Sequence, residues 1–431
     1  MQSHHHIVAI AEYEHWKTIH PVILSGTDRN RHVYIVGQTG TGKSTLLQSI
    51  VAADIEAGHG VALLDPHGDL ATESLSFVPP RRADDLVYFN PSDLSHPVAF
   101  NMLANVPPDR RSVFTSAVVS AFKSIWRESW GPRLEHVLSA SIAALLECEN
   151  TSLLGLYRML TDARYRDGVV RRVNDAIVRA FWLNEFAGYD ERFRSEVVAP
   201  ILNKVGPLIM SPLVRNVFGQ VKSRLDLREV MDGRKIFIAN LSKGLLGEDK
   251  SNLFGAMLVA RFQVAAMSRA DIPEHDRVPF TLVVDEFQNF TSDSFTSMLA
   301  ESRKQNLAVV LANQFLDQIR PEFRDAIFGN CGSLVSFRVG DRDAERLARE
   351  FGKHYEPAAF GNLPNFHIIA RMLDRGEPRA PVIARTLRYA GVRHNRPQKL
   401  IDRSRRLYAT PRHIVEGKIQ RWLKTSNSKS S

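Results

Sequence analysis

A chain of 431 residues with 44% hydrophobic side chains is long enough for one large or two ordinary domains with a sizeable core. Its two cysteines, Cys148 and Cys331, lie far apart, which excludes a disulfide framework and a cysteine-spaced metal site and fits a reducing cytosol. No apolar run reaches about 18 residues, so no membrane-spanning helix is expected, and the net charge of +9 sits in the tail, where residues 388–431 carry twelve Lys and Arg against Asp402 and Glu416.

The N-terminal segment, residues 1–30, lacks the charged-then-apolar shape of a signal peptide. His4 to His6 read as a flexible terminus or a cloning remnant in preference to a metal cluster. The first part of a core follows over 31–104. A short apolar run at 32–37 is predicted as a strand, and Ser44 to Ala57 as a helix with Leu46, Leu47, Ile50, Val51 and Ile55 on one stripe. Between them lies Gly37-Gln38-Thr39-Gly40-Thr41-Gly42-Lys43-Ser44, a G-x-x-x-x-G-K-S phosphate-binding loop. Its glycines let backbone N–H groups turn inward around phosphates, and the helix N-terminus adds a favourable dipole. Lys43 is expected to reach the β- and γ-phosphates of ATP, and the Ser44 hydroxyl to ligate Mg²⁺, with Thr45 completing the nucleotide-binding set.

Further strands are predicted at 60–65 and 86–89. His67 and Asp69, near the sheet's carboxyl edge, read more readily as a turn with satisfied side chains than as a ligand site. Over 105–225 the strand pattern gives way to helical spacing, for example at 112–125, 133–148 and 196–210, with Thr151 read as an N-cap for 153–160. This predicts an inserted all-α domain, in which Trp126, Trp130, Phe181 and Trp182 serve packing.

The core resumes over 226–387, with strands at 235–241, 280–285, 307–312 and 334–338. Continuously apolar strands separated by helices predict an α/β core with a mostly parallel sheet covered on both faces. The run Phe280-Thr281-Leu282-Val283-Val284 ends in Asp285 and Glu286. Asp285 is placed near Mg²⁺, and Glu286 is the natural general base or water-orienting group for hydrolysis. Gln314, after the next strand, is a candidate γ-phosphate or water sensor, or else a cap for the next helix. Arg303 is a candidate arginine finger for a neighbouring subunit, or else a surface ion-pair residue, and Arg324 is a second candidate.

Residues 388–431 form the basic tail, irregular over 391–409, helical over 411–424 and disordered over 426–431. It predicts an anionic partner, DNA, RNA or anionic lipid, or else a solubilising role.

In order, the phosphate loop, helical insertion, Val-Val-Asp-Glu strand and Ala-Asn-Gln strand resemble the HerA–FtsK ATPases. The closer likeness is to the VirD4/TraD-type coupling proteins of type IV secretion and conjugation. Leu64-Asp65-Pro66-His67-Gly68-Asp69, Phe218-Gly219-Gln220, Ile238-Ala239-Asn240-Leu241-Ser242-Lys243-Gly244 and Phe328-Gly329-Asn330 look like family segments. The resemblance covers roughly residues 30–386. It implies a RecA-like P-loop core, a hexameric ring and DNA translocation through a central channel. By position it maps Lys43, Ser44, Asp285, Glu286, Arg303 and Gln314 to the ATP site, Arg303 acting in trans. Membrane-bound coupling proteins carry N-terminal transmembrane helices, whereas only about 30 residues precede the first expected core strand here. The expectation is therefore a cytoplasmic protein, peripheral to the inner membrane at most. It would be recruited by secretion partners, or would serve packaging or defence. The alternative expectation is a regulatory ATPase that forms a ring around a protein partner such as a nuclease, without translocation. Lys243 and Lys250 are candidate DNA-contacting residues.

Overall fold

Strands that are apolar at every position must be covered on both faces, and this requirement sets the architecture. The computed structural model describes residues 7–424; the His4–His6 cluster and the 426–431 segment lie outside the described residues. The strands are β1 (Ile7–His15), β2 (Thr18–Ser25), β3 (Val33–Val36), β4 (Gly60–Asp65), β5 (Leu86–Phe89), β6 (Ile236–Asn240) and β7 (Phe280–Val284). They continue with β8 (Leu307–Asn313), β9 (Ser333–Ser336), β10 (His367–Arg371), the short β11 (Leu373–Asp374) and β12 (Glu377–Pro378), and β13 (Val382–Thr386). One sheet has the order β2-β1-β13-β10-β9-β3-β8-β7-β4-β6-β5, while β11 and β12 form a separate ribbon. From β9 to β5 every pairing is parallel.

Side chains alternate between two cores, as the two-residue period of a strand requires. Val33, Ile35, Val61, Leu63, Val283 and Val310 face one cluster; Tyr34, Val36, Ala62, Leu64, Val284 and Leu311 face the other. The helix Lys43–Ala57 packs Leu46, Leu47, Ile50, Val51 and Ile55 on the first face. The long buried helix Glu248–Ser268 joins the second. Between β5 and β6 there are helices and no strand, giving an α/β RecA-like core with an all-α insertion. Here Trp182 and Phe181 are buried and Trp126 stacks on Phe122 at 6.0 Å, a packing role. Thr151 does not cap the helix Leu154–Thr161: its hydroxyl donates to Leu145 O (2.9 Å) and Cys148 O (3.0 Å), closing the preceding helix instead.

Two edges differ from the sequence reading. In residues 1–30, where no strand was expected, β1 and β2 form a hairpin that pairs through β1 with β13. Its two-residue turn, Trp16-Lys17, has φ of 51° and 61°. That left-handed turn is normally written Asn-Gly or Asp-Gly, so the letters conceal it. At the other edge, residues 397–408 of the supposedly irregular stretch form the helix Pro397–Tyr408, followed by the helix Arg412–Lys424. Ser404 Oγ accepts from the free N–H of Tyr88 on edge strand β5 (2.8 Å). Arg405 pairs with Asp93 (2.7 Å), and Val415 and Ile419 pack on Leu154 of the helical region. The tail is thus folded against the body, with Lys399, Arg406, Lys418, Arg421 and Lys424 left exposed. Among the described residues no single helix is long and apolar enough to cross a membrane.

Replacing Ser404 by Ala strands a buried strand N–H, which costs about 1–3 kcal/mol. The expected outcome is a lower urea midpoint of unfolding at unchanged slope.

Candidate active site

The parallel register aligns the strand ends. Val36 sits opposite Asn313 and Ser336, and Leu64 sits opposite Val284 and Ala239. The segments that follow β3, β4, β7 and β8 therefore leave from one edge, where open α/β sheets place their ligands. There they line a cleft of about 540 Å³.

The loop after β3 supplies Thr39, Gly40, Gly42, Lys43, Ser44 and Thr45 to the cleft. Gly37, Gln38 and Thr41 are not among its lining residues: Gly37 N donates to Asn313 O (3.3 Å), Gln38 N to Arg338 O (2.9 Å) and Thr41 Oγ1 to Gln38 O (2.7 Å). Gly42 has φ of 119°, and a Cβ there would lie 2.8 Å from the Phe366 ring; only glycine fits. The Lys43 ammonium is buried and donates to Gly37 O (2.6 Å), so the loop curls around its own cation.

Three buried carboxylates share the cleft with that ammonium, and the charges of Glu286 and Asp285 act on it. Asp65, Asp285 and Glu286 are all buried. Both Asp65 oxygens accept backbone N–H groups, from His67 and Ala71, each at 2.8 Å. The Asp285 carboxyl is pushed up to about 7 by burial, with the charges of Glu286 and Asp65 adding and Lys43 opposing. Burial also lowers Lys43, against the pull of Glu286 and Asp285. A surplus of buried negative charge beside the Ser44 hydroxyl suits a hard divalent cation shared with phosphate oxygens. Among the described residues no three His, Cys, Asp or Glu converge to hold a metal by themselves; a cation here would rely on Ser44, Asp285 and the ligand's own oxygens.

Glu286 has φ 43° and ψ 49°, left-handed and rare for a residue with a side chain. Its Oε2 accepts from Gln288 Nε2 (2.7 Å), and its carbonyl accepts from Asn289 Nδ2 (2.9 Å). Such conformations persist where the surroundings enforce them, and they cluster at functional sites.

Comparison with known proteins bears on the family and the fold. Residues 19–151 match the family described as "Helicase HerA, central domain", and residues 279–359 match "TraM recognition site of TraD and TraG". The type 4 coupling protein DotL of Legionella pneumophila is 22% identical over 372 residues, covering 72% of this chain and 46% of that one. The chain thus spans about half the length of the curated relative it matches. Among solved structures, the bacterial conjugative coupling protein TrwB superposes with a TM-score of 0.61 at 16% identity, covering 87% of this chain and 89% of that one. VirB4 of Thermoanaerobacter pseudethanolicus superposes with a TM-score of 0.57 at 12% identity, covering 90% and 97%. These matches support a VirD4/TraD-type coupling ATPase of the HerA–FtsK superfamily.

The remaining sequence candidates separate by position. Gln314 lines the cleft, and the next turn is capped by Gln318, whose Oε1 accepts from Gln314 N (3.2 Å) and Phe315 N (3.3 Å). His67 and Asp69 are exposed on the cleft wall; the turn they were expected to satisfy is held by Asp65. Arg303 is exposed and precedes β8, so it lies at the opposite edge of the sheet from the cleft. Arg324 pairs with Asp317 of its own chain (3.2 Å). The cleft residues that the sequence did not single out are Gln48, Asp65, Leu70, Glu73 and Phe366. Asp65 closes an apolar strand much as Asp285 follows one, a signal present in the sequence. Phe366 precedes β10 with φ of 63°, its N–H donating to Thr41 O (2.8 Å). It was missed because β10 was missed.

Replacing Glu286 by Gly relieves a left-handed strain of about 1–2 kcal/mol, partly offset by glycine's entropy in the unfolded chain. The expected outcome is stability equal to wild type or raised by up to about 1 kcal/mol, with hydrolysis reduced about 100-fold or more. Denaturant titration beside a phosphate-release assay checks both halves. Parallel loss of stability and activity would mean that the carboxylate serves the fold.

Proposed function

We propose that this chain is a Mg²⁺-dependent ATPase working as an oligomeric DNA-binding and DNA-translocating motor. The observation that carries the reading is the convergence of the phosphate loop, Lys43, Asp285 and Glu286 on one cleft, in a fold shared with conjugative coupling proteins. TrwB has been solved with ADP and Mg²⁺ and with a non-hydrolysable ATP analogue, and we carry both ligands to this cleft. The amides of the loop and the Lys43 ammonium would hold the β- and γ-phosphates. Ser44 and Asp285 would hold Mg²⁺, which when bound neutralises charge on the phosphate oxygens.

Hydrolysis then rests on the chain's own residues. Glu286 takes a proton from the attacking water as its oxygen bonds to the terminal phosphorus and the bridging oxygen leaves with ADP. Gln314 orients that water. Arg303, at the far edge of its own sheet, serves the cleft of a neighbouring subunit in a closed ring, a hexamer by analogy with the family. The reading divides the chain into core segments at 31–104 and 226–387, an all-α domain at 105–225 and the basic tail. DNA is held mainly through its phosphates, by exposed cations such as those of the tail, so binding falls steeply with salt.

Hydrolysis by the full chain, with and without single- and double-stranded DNA, tests the reading beside Glu286→Gln. The expected result is DNA-stimulated hydrolysis that the variant abolishes. Hydrolysis indifferent to every DNA would instead favour a regulatory ATPase that assembles on a protein partner. A second test concerns the finger. Lys43→Ala and Arg303→Ala are each expected to be inactive alone. Mixed, they should recover part of the activity, because one subunit retains a cleft and its neighbour a finger. No recovery on subunit exchange would remove Arg303 from the site.

A further inference from the structure

The segment after β6 touches both walls of the cleft without entering it. Leu241 N donates to Asp65 O and Lys243 N to Pro66 O, each at 2.9 Å, fastening it to the turn after β4. A Cβ on Gly68 of that turn would lie 2.8 Å from the Asn240 side chain and 3.0 Å from that of Ser242. On the other side the Lys243 ammonium donates to Asn289 Oδ1 (2.9 Å), and Asn289 Nδ2 donates to the Glu286 carbonyl (2.9 Å). In the same turn Gln288 Nε2 occupies the Glu286 carboxylate (2.7 Å). An unbroken chain of polar contacts thus runs from Lys243 through Asn289 to the candidate base. The segment's tip, Gly244 and Leu245, faces outward, with Leu245 63% exposed.

The partners of Lys243 are weak ones. Asn289 is a neutral amide, and Glu248, 3.1 Å away, is largely exposed. Exposed ion pairs contribute little, and the Lys243–Asn289 bond has only one ionised partner, whereas a phosphate oxygen gives the ammonium a second. A backbone phosphate of DNA arriving at the exposed tip therefore competes well for Lys243.

We propose that the segment Ser242–Gly247 couples DNA to hydrolysis: Lys243 latches the Glu286–Asn289 turn in a resting arrangement, and a DNA phosphate that takes Lys243 releases it. The proposal rests on the DNA-stimulated reading of the same cleft. Lys243 acts here as a positioning residue, through Asn289, and touches neither nucleotide nor water.

The test compares the full-length protein with its Lys243→Ala and Lys243→Arg variants. In the alanine variant the DNA-free kcat is expected to rise several-fold, with KM for ATP unchanged within about twofold because the cleft is untouched. Stimulation by DNA should shrink toward none. Hydrogen exchange at the Glu286–Phe290 amides of the nucleotide-free protein should quicken. The arginine variant, which can still donate to Asn289, should behave as wild type. Unchanged exchange and an unchanged DNA-free rate in Lys243→Ala, with a DNA-responsive wild type, would overturn the latch alone. A kcat lowered equally with and without DNA would reduce Lys243 to a structural part and overturn it as well. A wild type indifferent to DNA would overturn the DNA reading, and with it this role for the segment.

Discussion

A surplus of buried negative charge governs this molecule. Asp65, Asp285 and Glu286 are collected at one sheet edge against the single ammonium of Lys43. Carboxylates removed from water must be hydrogen-bonded, paired or protonated, and the three are treated differently. Asp65 directs both oxygens to backbone N–H groups, and Glu286 takes an amide from Gln288. Asp285 accepts from Glu286 N (3.0 Å), and its carboxyl rises to about 7. In the proposed reading the same imbalance selects the ligand. A cation satisfies the carboxylates, while the phosphates it carries satisfy Lys43 and the loop amides. Neither would bind as well alone.

The imbalance exists only because the sheet is parallel and in register. Antiparallel neighbours would send successive loops to opposite edges; here β3, β4, β7 and β8 deliver theirs together. That arrangement requires a covered connection for each strand. The helices Lys43–Ala57 and Glu248–Ser268 supply two such covers, one on each face. Burial of a Val or Leu side chain contributes about 1.5–3 kcal/mol, and most strand positions between Val33 and Leu311 carry a buried apolar side chain. The packing that fixes the strands is what permits a strained Glu286 and a self-wrapped lysine at their ends.

What could be read from the residues divides along the same line. Parallel core strands are mostly apolar, so their positions and the motifs at their ends were legible, including Lys43, Asp285 and Gln314. The antiparallel half was not. In β1 and β2 apolar residues mix with Tyr, Glu and His, a bulge interrupts the pairing between Ala9 and Ala11, and Trp16-Lys17 makes the turn. Without β10, Phe366 had no place in the cleft. The tail misled for another reason. The helix at 411–424 was legible, whereas 391–409 read as irregular, yet Ser404 and Arg405 bind the body, and Arg158 sits over the rings of both Tyr165 (4.4 Å) and Trp422 (4.7 Å). Long cationic side chains cover apolar surface while their charges stay in water, so composition alone does not separate a strap from a solvated tail.

Position also constrains how the site is completed. Arg303 stands before β8, and Gln314 directly after it. A seven-residue strand spans roughly 20 Å, several times the reach of an arginine side chain. Arg303 therefore cannot serve the cleft of its own chain in this fold, whatever rotamer it adopts. Either it is a surface residue with no part in hydrolysis, or it serves another copy, with the sheet's far edge turned toward that copy's cleft. On the second alternative the isolated chain lacks one charge needed at the transition state. Ring closure, and not nucleotide binding, then becomes the step that makes the enzyme competent.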